Sequence, residues 1–220
     1  MPDRKNSWDS MLALSERILR ANSATEELGR WCCEHGIGDG RILALHARYA
    51  IPEALDDQSL EALYPHHARG KTKFRRVRLT TAGIVVVETL DWYFSDHLTP
   101  GMREQLETTS MPFGRAIRTL KSKRRTFLIR CCTPEQLVDA GGAANPVATA
   151  FEHRAVIYGE DDVPLAVVHE RFRIRLVCDL APRNSQPATA GTAATGSSRI
   201  GQCNSAANIP IKIAANHTAA

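Results

Sequence analysis

Trp8, Met11, Leu12, Leu14, Ile18 and Leu19 recur at helical spacing near the start of the chain, and Asn22-Ser23 interrupts the run. Ser23-x-x-Glu26 reads as a capping box, in which a serine oxygen meets an orphan amide of the first turn. A second helix is therefore predicted from Ala24 through Leu28 and Trp31 to Gly36. Six stretches then read as strands, over residues 41–49, 73–80, 84–93, 124–131, 152–158 and 165–177. Thr81-Ala82-Gly83 and the stretch from Gly159 to Pro164 have hairpin composition, which makes the flanking strands antiparallel neighbours. Between the third and fourth strands, Thr99-Pro100 supplies an N-cap and a following proline for a helix through Met102 to Leu106. A further short helix opens at Pro112 and carries Ile117 and Leu120. Strands interrupted by helix pairs predict an α+β domain over residues 1–180, a six-stranded antiparallel sheet with helices covering one face. From Ala181 the composition turns to Ala, Thr, Ser, Gly and Asn, which predicts a disordered tail over residues 181–220.

Composition changes this picture in a few places. The 220 residues, 43% hydrophobic and 24% charged, are enough to bury one core. The formal net charge of +4 is unevenly spread, with one basic cluster from Arg69 to Arg78 and another from Arg115 to Arg125, so anionic partners are favoured. Aromatic residues are not interleaved with those cations, so no nucleic-acid partner is expected. Neither an export signal nor a membrane span is legible, which leaves a cytoplasmic monomer as the expectation. Of six cysteines, Cys32-Cys33 and Cys131-Cys132 are adjacent pairs poorly placed to bridge each other, consistent with free thiols in a reducing compartment. His66-His67 lack zinc spacing, and the chain has no Gly-x-Gly-x-x-Gly, P-loop or Gly-x-Ser-x-Gly; neither metal nor cofactor is expected.

Three segments carry candidate chemistry. Strand alternation puts Arg75 on one face with Val77, and Arg76 with Arg78 on the other, so only one parity can face a covered pocket. A guanidinium fork there suits a carboxylate, although a solvated basic face is the plain alternative. Pro112-Phe113-Gly114 starts a helix whose free amides can meet an anion, or is simply packed by Phe113. Glu170 ends an otherwise apolar strand, where a carboxylate is paired with a cation, such as Arg171 or Arg173, or placed in a site.

The order of these pieces resembles the chorismate pyruvate-lyase family, from about Leu19 to Val177. In that family an arginine opens a strand ending in a glycine hairpin, matched here by Arg75 and Gly83. A Pro-(Leu/Phe)-Gly helix follows, as in Pro112-Phe113-Gly114, and a Gly-x-Pro hairpin leads to a glutamate, as in Gly159, Pro164 and Glu170. The resemblance implies a chorismate lyase-like fold and a metal-independent, cofactor-free lyase converting chorismate, a small dianion, to 4-hydroxybenzoate and pyruvate. It implies that Arg75 and the amides at Phe113 and Gly114 hold the ring carboxylate, that Glu170 acts near C4, and that Arg154 meets the enolpyruvyl carboxylate. In Asn22-Ser23-Ala24-Thr25 it implies a flap over the ligand, with Ala24 where the family has a Met or Leu. The same fold serves as the effector domain of GntR-type regulators, so a non-catalytic aromatic-acid or effector-binding module is the alternative. About 40 residues precede the first strand, fewer than a separate DNA-binding domain of ordinary size, which favours the enzyme at this point.

Overall fold

A computed structural model describes residues 4–47, 51–63, 72–133 and 148–177. Two helices lead the chain, α1 (Arg4–Arg20) and α2 (Ala24–Glu34), with the Ser23 side chain accepting from the Glu26 amide as the capping pattern requires. Strands β1 (Leu43–His46), β2 (Thr72–Thr81) and β3 (Ile84–Phe94) follow, with helix α3 (Asp57–Leu63) between the first two. Helices α4 (Pro100–Thr108) and α5 (Phe113–Ala116) lead to β4 (Lys123–Cys131), β5 (Thr149–Tyr158) and β6 (Pro164–Arg173).

Ala82 and Gly83 take φ of 46° and 78°, the left-handed pair that a two-residue hairpin needs, and Thr81 accordingly pairs with Ile84. All six strands join one antiparallel sheet in the order β1-β2-β3-β6-β5-β4. The expected α+β architecture is thus observed, with the segment carrying α4 and α5 linking β3 to the far edge.

One sheet face is covered at two ends. Val77, Leu79, Val87, Phe151 and Phe172 pack with Met11, Leu14 and Ile18 of α1 and Leu28 and Trp31 of α2. Tyr93, Ala155, Ile157 and Val168 pack with Met102 and Leu106 of α4 and Phe113 of α5. The opposite face carries Leu90, Trp92, Val156 and Val167, with Leu63 of α3 in the same cluster. Helix α3 was not expected from the sequence, so the prediction of helices on one face holds for the other four. Its seven residues are too short to show a helical period.

Several predicted ends move. Helix α2 stops at Glu34, where the His35 amide bonds back to the Trp31 and Cys33 carbonyls. Strand β6 ends at Arg173, and Ile174–Leu176 form a buried 3-10 turn instead of extending it. Pro112 is the N-cap of α5, with ψ of 146°, so the helix begins one residue later than predicted. The expected tail over 181–220, His66-His67, Cys178 and Cys203 lie outside the described residues. No helix among the described residues is long and apolar enough to cross a membrane.

Candidate functional site

Register places the site. In the β2–β3 ladder Arg75 lies opposite Asp91 and Val77 opposite Thr89. In the β3–β6 ladder Asp91 lies opposite Val168 and Thr89 opposite Glu170. Directly opposed residues share a face, so Arg75, Thr89, Asp91, Val168 and Glu170 project together to the side covered by helices. Pro112, Phe113, Gly114 and Ile117 form the wall above them, and residues 22–25 at the start of α2 form the second wall. A Cβ on Gly114 would stand 3.3 Å from Thr25 Oγ1, so the glycine lets the two helix starts approach closely. The resulting cleft holds about 620 Å³ of empty space, mouth included, with Ser122, Lys123 and Arg124 at one side.

Two ion pairs frame it. Arg75, only 7% exposed, donates from Nε to Asp91 Oδ2 at 2.8 Å, and Asp91 is 2% exposed. Thr89 Oγ1 donates to the other Asp91 oxygen. Arg75 Nη1 reaches the Leu106 and Met111 carbonyls at 3.5 Å, and the guanidinium carbon lies 5.8 Å from the Phe113 ring centre. Arg75 Nη2 is buried and meets no acceptor among the described residues. In the second pair, Arg124 Nη2 donates to Glu170 Oε2 at 2.6 Å, and Arg124 Nε donates to Thr126 Oγ1 at 3.2 Å. Both partners of this pair are largely buried. Lys123, by contrast, stands at the exposed rim, 3.7 Å from Asp162.

The surroundings keep further charge out of this face. His153, opposite Glu170 in the neighbouring strand, is fully buried and shares a 2.8 Å hydrogen bond with Ser15 Oγ of α1. Burial first, and the Arg124 charge second, push its pKa down to about 3, so the ring is neutral. Tyr93, packed with Phe113, has its phenol pushed up to about 12 by burial and the Glu107 carboxylate.

Of the residues singled out in the sequence, Ala24, Arg75, Phe113, Gly114 and Glu170 are brought together in the cleft. Arg154 is not. It lies opposite His169 in the β5–β6 ladder, one residue out of phase with His153 and Ala155, and therefore projects to the other sheet face. There its Nε donates to Glu152 Oε1 at 2.6 Å and its Nη1 to Asp56 Oδ2 at 2.5 Å. The expected contact of Arg154 with a ligand carboxylate beside Arg75 and Glu170 is corrected accordingly. Sequence reasoning also missed Asp91, Thr89 and Arg124. A lone carboxylate within Leu90-Asp91-Trp92-Tyr93 was the available signal for the first, whereas Arg124 was hidden in a basic run.

No protein-family model matches the chain. It is 29% identical over 172 residues to the uncharacterized protein y4mC of Sinorhizobium fredii, a stretch covering 72% of this chain and 71% of that one. Among solved structures it is similar to the effector domain of PhnF from Mycobacterium smegmatis, at 18% identity and a TM-score of 0.37, over 60% of this chain and 81% of that one. It is also similar to the effector-binding domain of the trehalose repressor of Bacillus subtilis, at 14% identity and a TM-score of 0.33, over 70% and 99% of the two chains. A GntR-family regulator from Enterococcus faecalis matches at 13% identity and a TM-score of 0.35, over 59% and 91%.

Proposed function

We propose that this domain is a ligand-binding module whose cleft takes a small ring-bearing organic molecule, its polar head at Arg75 and its body against Phe113, Ile117, Ile157 and Val168. The observation that carries this reading is the buried Arg75 Nη2, a donor with no acceptor among the described residues on a side chain that lines an open cleft. Leaving such a donor unmet costs about 1–3 kcal/mol, and a ligand oxygen in the cleft would recover it. The apolar wall provides burial for a flat body, and the hydroxyls of Ser23, Thr25 and Ser122 offer adaptable polar contacts near it.

Binding without turnover is supported better than the lyase reading. Proton removal by Glu170 would neutralise the carboxylate that balances Arg124, and the arginine that the resemblance assigns to a second carboxylate faces away from the cleft. The non-catalytic effector-binding alternative needs neither group to change partner.

Calorimetry with the purified chain tests this, using chorismate, 4-hydroxybenzoate and uncharged analogues of the same ring, with pyruvate followed in parallel. Saturable binding of at least one ring compound, weakened about tenfold or more in Arg75→Gln, is the expected result. Pyruvate release from chorismate at enzymatic rates would replace the binding module by a lyase, and no binding of any ring compound would remove the cleft as the site.

A further inference from the structure

The charges deep in the cleft cancel. Arg75 is countered by Asp91 and Arg124 by Glu170, all four side chains being largely buried, while the remaining cation of the lining, Lys123, stands at the exposed rim. Arg75 is also mostly spent as a fork. Its Nε is taken by Asp91 and its Nη1 points to two backbone carbonyls, which leaves one nitrogen, Nη2, without an acceptor among the described residues. A carboxylate is bound best by two parallel guanidinium bonds, and here that arrangement would have to draw Nη1 away from the Leu106 and Met111 carbonyls. It would also stand close to Asp91, whose charge is desolvated and therefore poorly screened. A neutral oxygen suffers neither penalty: it satisfies Nη2 and adds no charge to a face that is already balanced.

We propose that the inner pole of the cleft recognises an uncharged oxygen acceptor, a carbonyl or hydroxyl, in place of a carboxylate, and that Asp91 sets this preference. The inference rests on the reading of the cleft as a ligand site and names the class of head group that the site accepts. An acidic group elsewhere on the ligand is compatible with it only toward the mouth of the cleft, where solvent screens its charge. Thr89 supports the device by donating to the second Asp91 oxygen, which holds the carboxylate in place beside Arg75.

The test compares two probes of one shape that carry no second oxygen group, benzamide and benzoate, by calorimetry on the full chain near neutral pH. Wild-type protein is expected to bind the amide about tenfold or more tightly than the benzoate. Asp91→Asn keeps the side-chain shape but frees the Arg75 charge, and should reverse the order. Equal or tighter binding of the benzoate by wild-type protein overturns the inference while leaving the cleft as a ligand site. An unchanged order in a folded Asp91→Asn protein overturns Asp91 as its cause. Should that variant fail to fold, the wild-type ratio decides by itself. Binding of neither probe overturns this inference, whereas failure of every ring compound, chorismate included, overturns the ring-ligand reading on which it rests.

Discussion

Both faces of the sheet bury an arginine, a histidine and a serine contributed by a helix, yet they use these groups differently. On the cleft face His153 bonds Ser15 of α1, and Arg75 pairs with Asp91 but keeps one nitrogen without an acceptor among the described residues. On the opposite face His169 bonds Ser59 of α3, and Arg154 is held between Glu152 and Asp56. Asp56 also accepts from the Ser59 amide, so the arginine helps fix the start of α3 to the sheet. On the second face Arg154 is spent between two carboxylates, and the donor there without an acceptor among the described residues, Arg130 Nε, lies outside the cleft; on the first, Arg75 leaves a donor open beside an empty volume. A buried cation alone therefore does not mark a site, nor does an unmet donor alone; the two together beside an open cleft do.

The largest effect expected from this contrast is on stability. Arg75→Ala would leave Asp91 charged, 2% exposed and without its cation, for a loss of about 3–5 kcal/mol in denaturant unfolding. Arg154→Ala should lose only about 1–2 kcal/mol, because the Asp56 side chain is 45% exposed and can turn to water, and Glu152 keeps a second cation, Arg171, 4.0 Å away. The opposite ranking would place the more desolvated pair on the α3 side.

Acid sensitivity comes next and should be shared by the two faces. Burial lowers both histidine pKa values from 6.5, to about 3 for His153 and about 4 for His169, with nearby arginine charge acting in the same direction. Below pH 6.5 the unfolded chain thus binds protons that the folded chain refuses. The stability contribution is complete above that pH and is lost as pH falls toward about 4 for His169 and about 3 for His153. Each histidine steepens the loss by about 1.4 kcal/mol per pH unit inside its window. Urea unfolding from roughly pH 4.5 to 7 should give a shallower slope for His153→Gln and for His169→Gln than for wild type. Slopes identical to wild type would mean that the rings accept protons while folded.

Ligand binding separates the faces again, with a smaller effect. Glu170→Gln keeps an oxygen for Arg124 but removes the charge at the cleft, and should change probe affinity by roughly fivefold. Glu152→Gln, on the α3 side, should leave affinity unaltered in the same calorimetric titration. Equal sensitivity to both changes would show that affinity responds to the sheet as a whole. Of similar size are the serines: Ser15→Ala and Ser59→Ala should each lose about 1 kcal/mol in denaturant unfolding, the ordinary scale of one hydrogen bond. A much larger loss at one of them would identify that helix as the one holding its face together.

What could be read along the chain was the local part. Ser23 and Thr99 announce the starts of α2 and α4 because a side-chain oxygen satisfies an amide only three residues away. The Ala82-Gly83 turn announces the β2–β3 hairpin, and alternation alone puts Arg75 and Arg76 on opposite faces. The assembly of Ala24, Arg75, Phe113, Gly114 and Glu170 in one cleft was legible only as a resemblance, since these residues come from different elements.

The partners of those residues were decided by tertiary structure. Counted back from the Thr81–Ile84 pair without interruption, Arg75 would face Leu90; an irregularity between Leu79 and Thr80 admits one extra residue in β3 and brings Asp91 opposite instead. Nothing local specifies that shift. Arg124 and Glu170 meet although β5 lies between their strands, and Arg154 turns away because β5 registers His153, its neighbour in sequence, opposite Glu170. The sequence by itself therefore determined most of the elements and the alternation within β2, because propensity, capping and alternation act over a few residues. The tertiary structure decided which charges cancel, because that depends on ladder register and strand order, set jointly by segments far apart in the chain.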